Sequence, residues 1–334
     1  MKPKNTKPDA RAAKHECRYR VRNWPEYNTA LVHRGRLTLW VEASTLANWQ
    51  SQVRTGQPGR PPVYSDVAIA CALTLASVYR LPLRAAQGLL ASLLCLLAPD
   101  LPVPHYSTLC RRRAGLKVGL NRSGTSGVHL VVDSTGLKVL GEGEWKVRQH
   151  GSDKRRTWRK LHLGIDESTF QIKAAEMTTS EVADGERVPA LLNQVEDEIG
   201  QVAADGSYDW RSCYAAIAAR GARAAIAARG ARAVIPPRKG AVIWQHGNCK
   251  AEPLDRDENL RAIRKLGRAK WKQQSGYTRR SLAETCMFRL KTIFGDRLSA
   301  RRLAAQTGEA LLRCVALNRM TDLGMPSSHA VIVT

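Results

Sequence analysis

Apolar positions fall into two textures along the chain. Between residues 64 and 98 they recur at helical spacing. Ser65 is placed to cap a helix that opens at Asp66 and carries Val67, Ile69, Ala70, Leu73, Leu75 and Val78. Pro82 starts a second helix, with Leu83, Ala86, Leu89, Leu90, Leu93, Leu94 and Leu97 along its apolar side. His105-Tyr106-Ser107-Thr108 and Arg111-Arg112-Arg113 follow. This stretch predicts either a helix-turn-helix or a helical bundle with a solvated basic end.

From about residue 127 the runs become short and β-rich. Val128-His129-Leu130-Val131-Val132-Asp133, Leu137–Leu140, Leu161–Asp166 and Ile172–Met177 read as strands. Asp184 to Ile199 reads as a helix with Val188, Leu191, Leu192 and Val195 on one face. Val202-Ala203-Ala204-Asp205 and Ala233–Pro237 read as further strands, the second stopped by prolines. With a final long helix, this is a mixed α/β domain. One repeat interrupts it: AAIAARGAR at 215–223 returns unchanged at 224–232. Nine residues would rotate a helix by about 180°, so the extra copy is expected to bulge into a loop.

Composition adds the partner class. Apolar residues make up 43% and charged residues 25%, which excludes a mostly disordered or fibrous chain. Fifty-three Lys+Arg against 29 Asp+Glu leave a net charge of +24. That excess calls for a polyanion. An anionic membrane fits poorly: the most apolar stretch, 67–98, is broken by Arg80, Pro82 and Arg84. The N-terminal residues are basic without an apolar core, so no secretory signal is expected. The eight cysteines form no CxxC pair and read as reduced thiols; no clustered Cys/His set suggests zinc. The expectation is a soluble cytoplasmic protein that binds nucleic acid. Residues 1–20 read as a disordered basic leader, and Gly59-Arg60-Pro61-Pro62 as an extended linker, solvated or tracking DNA.

Two carboxylates share a context. Asp133 and Asp205 each end an apolar strand-like run and precede a small-residue turn, Ser134-Thr135-Gly136 and Gly206-Ser207-Tyr208. Such positions suit a hard divalent cation. A third acid stands on the segment 277–294. At about 100° per residue from Tyr277, Arg280 falls at about 300°, Glu284 at about 340° and Lys291 at about 320°. Leu282, Ala283, Cys286, Leu290, Ile293 and Phe294 lie at about 140–260°, on the opposite side. One acid among cations and a phenol is what a metal ligand flanked by phosphate-binding groups requires; an exposed face of salt bridges explains it less well.

The pattern Tyr-x2-Arg-x3-Glu-x6-Lys, filled by Tyr277, Arg280, Glu284 and Lys291, resembles the YREK signature of bacterial insertion-sequence DDE transposases. The segments Asp133–Lys138, Gly141–Lys146, Trp158–Leu163, Ala204–Asp209 and Val234–Lys239 resemble the insertion-sequence-five family. The resemblance runs from about Arg20 to Pro326.

It implies an RNase H-like catalytic core, a mixed sheet flanked by helices, behind an all-α DNA-binding region at 21–120. The core would comprise 127–237 and 277–325, with an insertion at 238–276. Asp133, Asp205 and Glu284 would be the catalytic triad and would bind two Mg²⁺ ions, with Mn²⁺ as a substitute. Tyr277, Arg280 and Lys291 would grip phosphates at the DNA end. The partners implied are the double-stranded inverted-repeat ends and target DNA, with a homodimer in the DNA complex at the nucleoid. In relatives an aromatic of the insertion stacks on an unpaired base; Trp244 and Trp271 are both available for that by sequence. Two rivals stay open. One is a DNA-end-binding protein disabled by the nine-residue copy, which could displace the strand after it. The other is an RNase H-like nuclease of another kind.

Overall fold

A computed structural model of the chain describes residues 17–52, 61–120, 127–139, 158–221, 231–245 and 253–332. Residues 1–16, the Gly59-Arg60 pair, the Gly141–Lys146 segment and residues 222–230 of the repeat lie outside them. Among the described residues the strands are β1 (Cys17–Val21), β2 (Val128–Val139), β3 (Trp158–Asp166), β4 (Ile172–Thr179), β5 (Ile199–Ala203), β6 (Arg232–Val234), β7 (Arg297–Leu298) and β8 (Ser328–Ile332). The helices are α1 (Trp24–His33), α2 (Ala43–Ala47), α3 (Asp66–Val78), α4 (Leu83–Leu97), α5 (Tyr106–Arg112), α6 (Val188–Gln194), α7 (Arg211–Gly221), α8 (Asp255–Leu266), α9 (Arg268–Gln274), α10 (Ser281–Phe294) and α11 (Leu303–Asp322).

The main sheet has the order β4-β3-β2-β5-β6, with β7 pairing the far end of β2. β2, β3 and β4 form an antiparallel meander; β5 and β6 continue parallel to β2. Side chains alternate across the sheet, so each strand feeds two cores. Leu130, Val132, Val202 and Ala204 face α6 and α7. Val131, Ala203, Leu161 and Leu163 face the other way, onto Ala283, Cys286 and Leu290 of α10 and Leu312 and Leu317 of α11. A mixed six-stranded sheet with helices on both faces fits the RNase H-like core.

The helices before the sheet share this second core. Trp40, Trp49, Ile69, Leu73 and Leu90 belong to the same apolar cluster as α10 and α11. Ser65 caps α3 as expected, its hydroxyl accepting from Ala68 N. At the turn between α3 and α4, Arg80 takes φ 52°, and its guanidinium donates to the carbonyls of Ile293, at 2.9 Å, and Thr292. The N-terminal region thereby caps the last turn of α10. The α3–α4 pair bends by 113°, and no helix among the described residues is long and apolar enough to cross a membrane.

Several elements differ from the sequence reading. The helix expected over 184–199 is a 3-10 turn at Asp184–Arg187 followed by the short α6. It stops at Val195, which is extended and fully buried so that the chain can turn into β5. Residues 17–20, read as part of the leader, lie in β1, which pairs antiparallel with β8. The basic cluster 111–113 is not one solvated end. Arg113 is buried against Glu309 of α11, and Arg112 bonds Asp66 at 2.6 Å and the Tyr64 carbonyl at 2.9 Å. Arg111 alone of the three is exposed.

The first repeat copy extends α7 to Gly221, with Ile217 fully buried. After the second copy, β6 pairs in register with β5: Gln201 with Arg232, Val202 with Ala233, Ala203 with Val234. The strand after the duplication is therefore in place.

Candidate active site

The first two acids meet through strand register. Val131 pairs with Ala203 across the parallel β2–β5 ladder. Two residues further along each chain stand Asp133 and Asp205. Alternation sends both to the face of Val131 and Ala203, the side on which α10 packs. Asp133 still lies within β2, opposite Leu163 of β3. Its side chain is 15% exposed, and Oδ1 accepts from Ser134 N at 2.8 Å. Asp205 lies just past β5 and caps the 3-10 turn Gly206–Tyr208: Oδ1 accepts from Ser207 N at 2.8 Å and Ser207 Oγ at 2.5 Å.

The third acid arrives on α10, whose buried side is Ala283, Cys286, Met287, Leu290 and Phe294. This spacing is the apolar stripe read from the sequence, and it turns Glu284 outward at 60% exposure. Arg280 joins the acids. Its Nη1 donates to Asp133 Oδ2 at 2.8 Å, and its Nη2 donates to Glu284 Oε1.

The electrostatics follow from this crowding. Burial raises the Asp133 carboxyl above the ordinary carboxylate range. The Ser134 amide and the Arg280 guanidinium pull it down, while Asp205 and Glu284 push it up as like charges. Tyr277 is 9% exposed, and burial raises its phenol. The phenol feels Arg280, Asp205, Asp133 and Arg268, which places it between the acids and the basic insertion.

The four residues Tyr277, Arg280, Glu284 and Lys291 span two kinds of helix. Tyr277–Arg280 is a 3-10 turn, and the α-helix begins at Ser281. Three residues per turn advance the chain by about 120° per residue, which brings Tyr277 into line with Arg280 three residues on and keeps it on the polar side. Its ring also packs against Trp271, centroids 5.4 Å apart. Arg280 and Glu284 keep their place beside Asp133. Lys291 is half-buried, two turns beyond Glu284 on the same side of α10.

Residues 32–142 match a family model described as "Transposase DDE domain", and residues 124–319 match a second model of the same description. The second match covers more than half of the chain. The chain belongs to the DDE transposase family.

DDE transposase domains use divalent metals, and the donor chemistry here fits one. Carboxylate oxygens are the ligands that hard cations take. The upward push that Asp205 and Glu284 exert on Asp133 marks negative charge that a cation would neutralise. The guanidinium of Arg280 now supplies part of that charge. Among the described residues no three His, Cys, Asp or Glu side chains stand close enough together to hold an ion. Glu284 is held toward Arg280 rather than toward the two aspartates.

Three features of this transposase were missed in the sequence reading. Asp209, four residues after Asp205, is buried and bonds Arg256 of α8 at 2.8 Å. Arg256 in turn lies 3.7 Å from the Trp244 ring centroid, so that indole is held by protein. Trp271 is 2% exposed, its Nε1 donating to Asn259 Oδ1 at 3.2 Å. Neither insertion tryptophan stands free for a base. Phe288, 71% exposed one turn after Glu284, lies at about 20° on the wheel drawn for the sequence and could have been found there. The third feature is a group of cations, Arg238, Lys239, Arg268 and Lys272, around a cleft beside Tyr277.

Proposed function

We propose that this transposase is of the insertion-sequence-five, YREK type. It cuts DNA at the inverted-repeat ends of its element and joins the freed 3′ ends to target DNA. The observation that carries the reading is the convergence of Asp133, Asp205 and Glu284 on one face of the sheet, with Arg280 between the first and the third.

Asp133, Asp205 and Glu284 would hold two Mg²⁺ ions, or Mn²⁺ in their place. Such a pair, when bound, supplies an activated nucleophile and a stabilised leaving oxygen. The protein's own side chains do the rest. Asp133, fixed by the Ser134 amide, presents its carboxylate from a rigid strand. Arg280 neutralises the acids before substrate arrives, and its planar fork suits a phosphate equally well. Displaced onto a phosphate, it would release Glu284 toward the aspartates. Lys291 adds a cation further along the same helix, and the Tyr277 phenol donates at its N-terminal end.

End recognition falls to the N-terminal helices, residues 21–120. The α5 side of that region carries Arg84, 4.5 Å from the Tyr106 ring centroid, with Ser107 and Arg111 around a shallow cleft. These groups are available to phosphates, unlike Arg112 and Arg113. Two ends must be held together, so the working form is a homodimer on DNA at the nucleoid.

The test is strand cleavage of a labelled element end in Mg²⁺. The unaltered protein is expected to nick at the end, and Asp133→Ala, Asp205→Ala and Glu284→Ala to abolish it while still binding. Cleavage that survives any of the three substitutions would overturn the triad. Cleavage indifferent to the end sequence would favour a nuclease of another kind.

A further inference from the structure

The turn between α3 and α4 closes on itself as a Schellman motif. Leu81 N donates to the Ala76 carbonyl at 2.8 Å, and Arg80 N donates to the Ser77 carbonyl at 3.3 Å. Arg80 therefore stands just past the cap of α3, in the left-handed region at φ 52°. Glycine takes that conformation without strain; an arginine does not. Among the described residues one other non-glycine residue, Phe170, has a positive φ. Nothing in the turn itself calls for an arginine. Its exposed side chain is used elsewhere. It reaches 213 residues further along the chain, donating to the Ile293 carbonyl at 2.9 Å and to the Thr292 carbonyl beside it.

Those two carbonyls lie in the last turn of α10, where a helix has no further amide to bond them. A guanidinium there also meets the negative end of the helix dipole. At the other end of α10, Arg280 bonds Asp133 and Glu284. The helix is thus held at both ends by an arginine, at its start to the sheet and at its finish to the N-terminal helices. The apolar stripe of α10 decides which side faces the sheet. The directional bonds at its ends decide how far along the sheet it sits. Glu284 stands eight residues before Thr292, about 12 Å along the axis at 1.5 Å per residue. A helix of this length moves as a rod, so a shift of its last turn is carried to Glu284.

We infer that Arg80 is a positioning residue for the reaction: from the turn between two N-terminal helices, it sets where α10 carries Glu284 relative to Asp133 and Asp205. The inference rests on the DNA-cleaving reading above and extends it. The placement of the third acid then depends on the region assigned to end recognition. The strained backbone at Arg80 is kept for the reach of its side chain, since glycine would serve the turn better.

The test is Arg80→Gly, which removes the clamp and the strain together. Without DNA, its urea midpoint should stay level or rise, because relief of the left-handed backbone offsets the loss of two exposed hydrogen bonds. Hydrogen exchange followed by mass spectrometry should quicken by about tenfold in the last turn of α10 and stay unchanged in α3. With a labelled element end and Mg²⁺, single-turnover cleavage should slow by about 10–10²-fold, the scale on which a misplacement of about 1 Å is felt. The Kd for the end should stay within about twofold. Arg80→Lys keeps a cation at the helix end without the fork, and should recover part of the rate. A midpoint that falls together with the rate would make Arg80 a staple of the fold, and a matching loss in Kd would make it a DNA contact. Either result overturns the inference. So does a cleavage rate within about threefold of the unaltered protein, or unchanged exchange in α10. A protein that cleaves no end, yet loosens at α10 alone in Arg80→Gly, keeps the clamp and loses the catalytic reading.

Discussion

Arg280 reaches Asp133 across 147 residues of chain, its Nη1 2.8 Å from Oδ2, and the same guanidinium holds Glu284 one helical turn away. The contact ties the helix of the third acid to the central strand of the first. It also explains how three acids coexist before substrate or metal is bound. Like charges at short range raise one another's pKa, and a shared cation offsets the repulsion.

Removing Arg280 should therefore be felt in rate and in pH dependence. Arg280→Ala should slow end cleavage by about 10²–10³-fold, the usual cost of losing one charge-stabilising group. Arg280 lowers the pKa of Asp133. Without it the carboxyl holds its proton to higher pH, so the acid limb of the cleavage profile should move upward. Arg280→Lys keeps the charge but not the fork, and should restore the limb more than the rate. Cleavage rates measured across pH decide this; an unmoved limb in Arg280→Ala would disprove the coupling.

Asp133 should trade stability for function. Its folded pKa is raised by burial, so its proton stabilises the fold. That contribution is fully present below the unfolded pKa and is lost as pH rises through the folded one. At pH 7 the ionised carboxylate is a net cost. Asp133→Asn should raise the urea midpoint at pH 7, the gain shrinking as pH falls toward the carboxylate range, while cleavage drops by at least about 10³-fold. A midpoint lowered at pH 7 would contradict the burial argument.

Much of this site was legible because its signals are local. An apolar run ending in a carboxylate marked Asp133 and Asp205, and strand register did bring the two side by side. The stripe Ala283, Cys286, Leu290 and Phe294 turned Glu284 outward, as periodicity requires. The 3-10 turn at Tyr277–Arg280 was not read from the sequence, but it changes the angle of Tyr277 and not its side, because residues three apart eclipse there. The buried pairs Arg113–Glu309 and Asp209–Arg256 were invisible for another reason. Their partners stand 196 and 47 residues apart, and no local pattern marks a charge that will be buried. The basic cluster 111–113 looked like one surface for the same reason.

His162 should set the acid sensitivity of the sheet. It is fully buried on β3, with Nε2 2.8 Å from Thr178 Oγ1. Burial lowers its pKa from 6.5 to about 4, outweighing the nearby Asp184 carboxylate. The neutral ring therefore contributes stability that is present above pH 6.5 and lost as pH falls through about 4. The full shift corresponds to about 3 kcal/mol. Between pH 6.5 and 4 the unaltered protein should lose stability faster than His162→Gln, as followed by urea unfolding. Parallel pH dependence in the two proteins would remove His162 as the cause.

The Asp209–Arg256 pair should anchor the insertion to the loop of the second acid. Arg256 is buried between Asp209, at 2.8 Å, and Asp257, at 3.3 Å. Arg256→Met leaves both carboxylates without that cation and should cost about 3–5 kcal/mol. Adding Asp209→Asn removes one stranded charge and should recover part of the loss. Chemical denaturation of the two single variants and the double measures the coupling. A loss below about 1 kcal/mol in Arg256→Met would mean that the pair does not hold the insertion.

The duplication should be tolerated, and its removal should be tolerated too. Because the copies are identical, deleting residues 224–232 puts Arg223 where Arg232 stood, directly before Ala233. The β6 sequence Arg-Ala-Val is thus unchanged, and its pairing with Gln201, Val202 and Ala203 can re-form. The shortened chain leaves too few residues to join α7 to β6 unless the last turn of α7 unwinds. That turn buries little: the buried side chains of α7 are Cys213, Tyr214 and Ile217, all in its first seven residues. Fraying an exposed helix end is inexpensive, so stability should change by about 1 kcal/mol or less. Both proteins should cleave element ends at rates within about threefold, a difference under 1 kcal/mol. Cleavage by the deletion variant alone would show instead that the second copy disables the acid on β5, despite the strand beside it being in register.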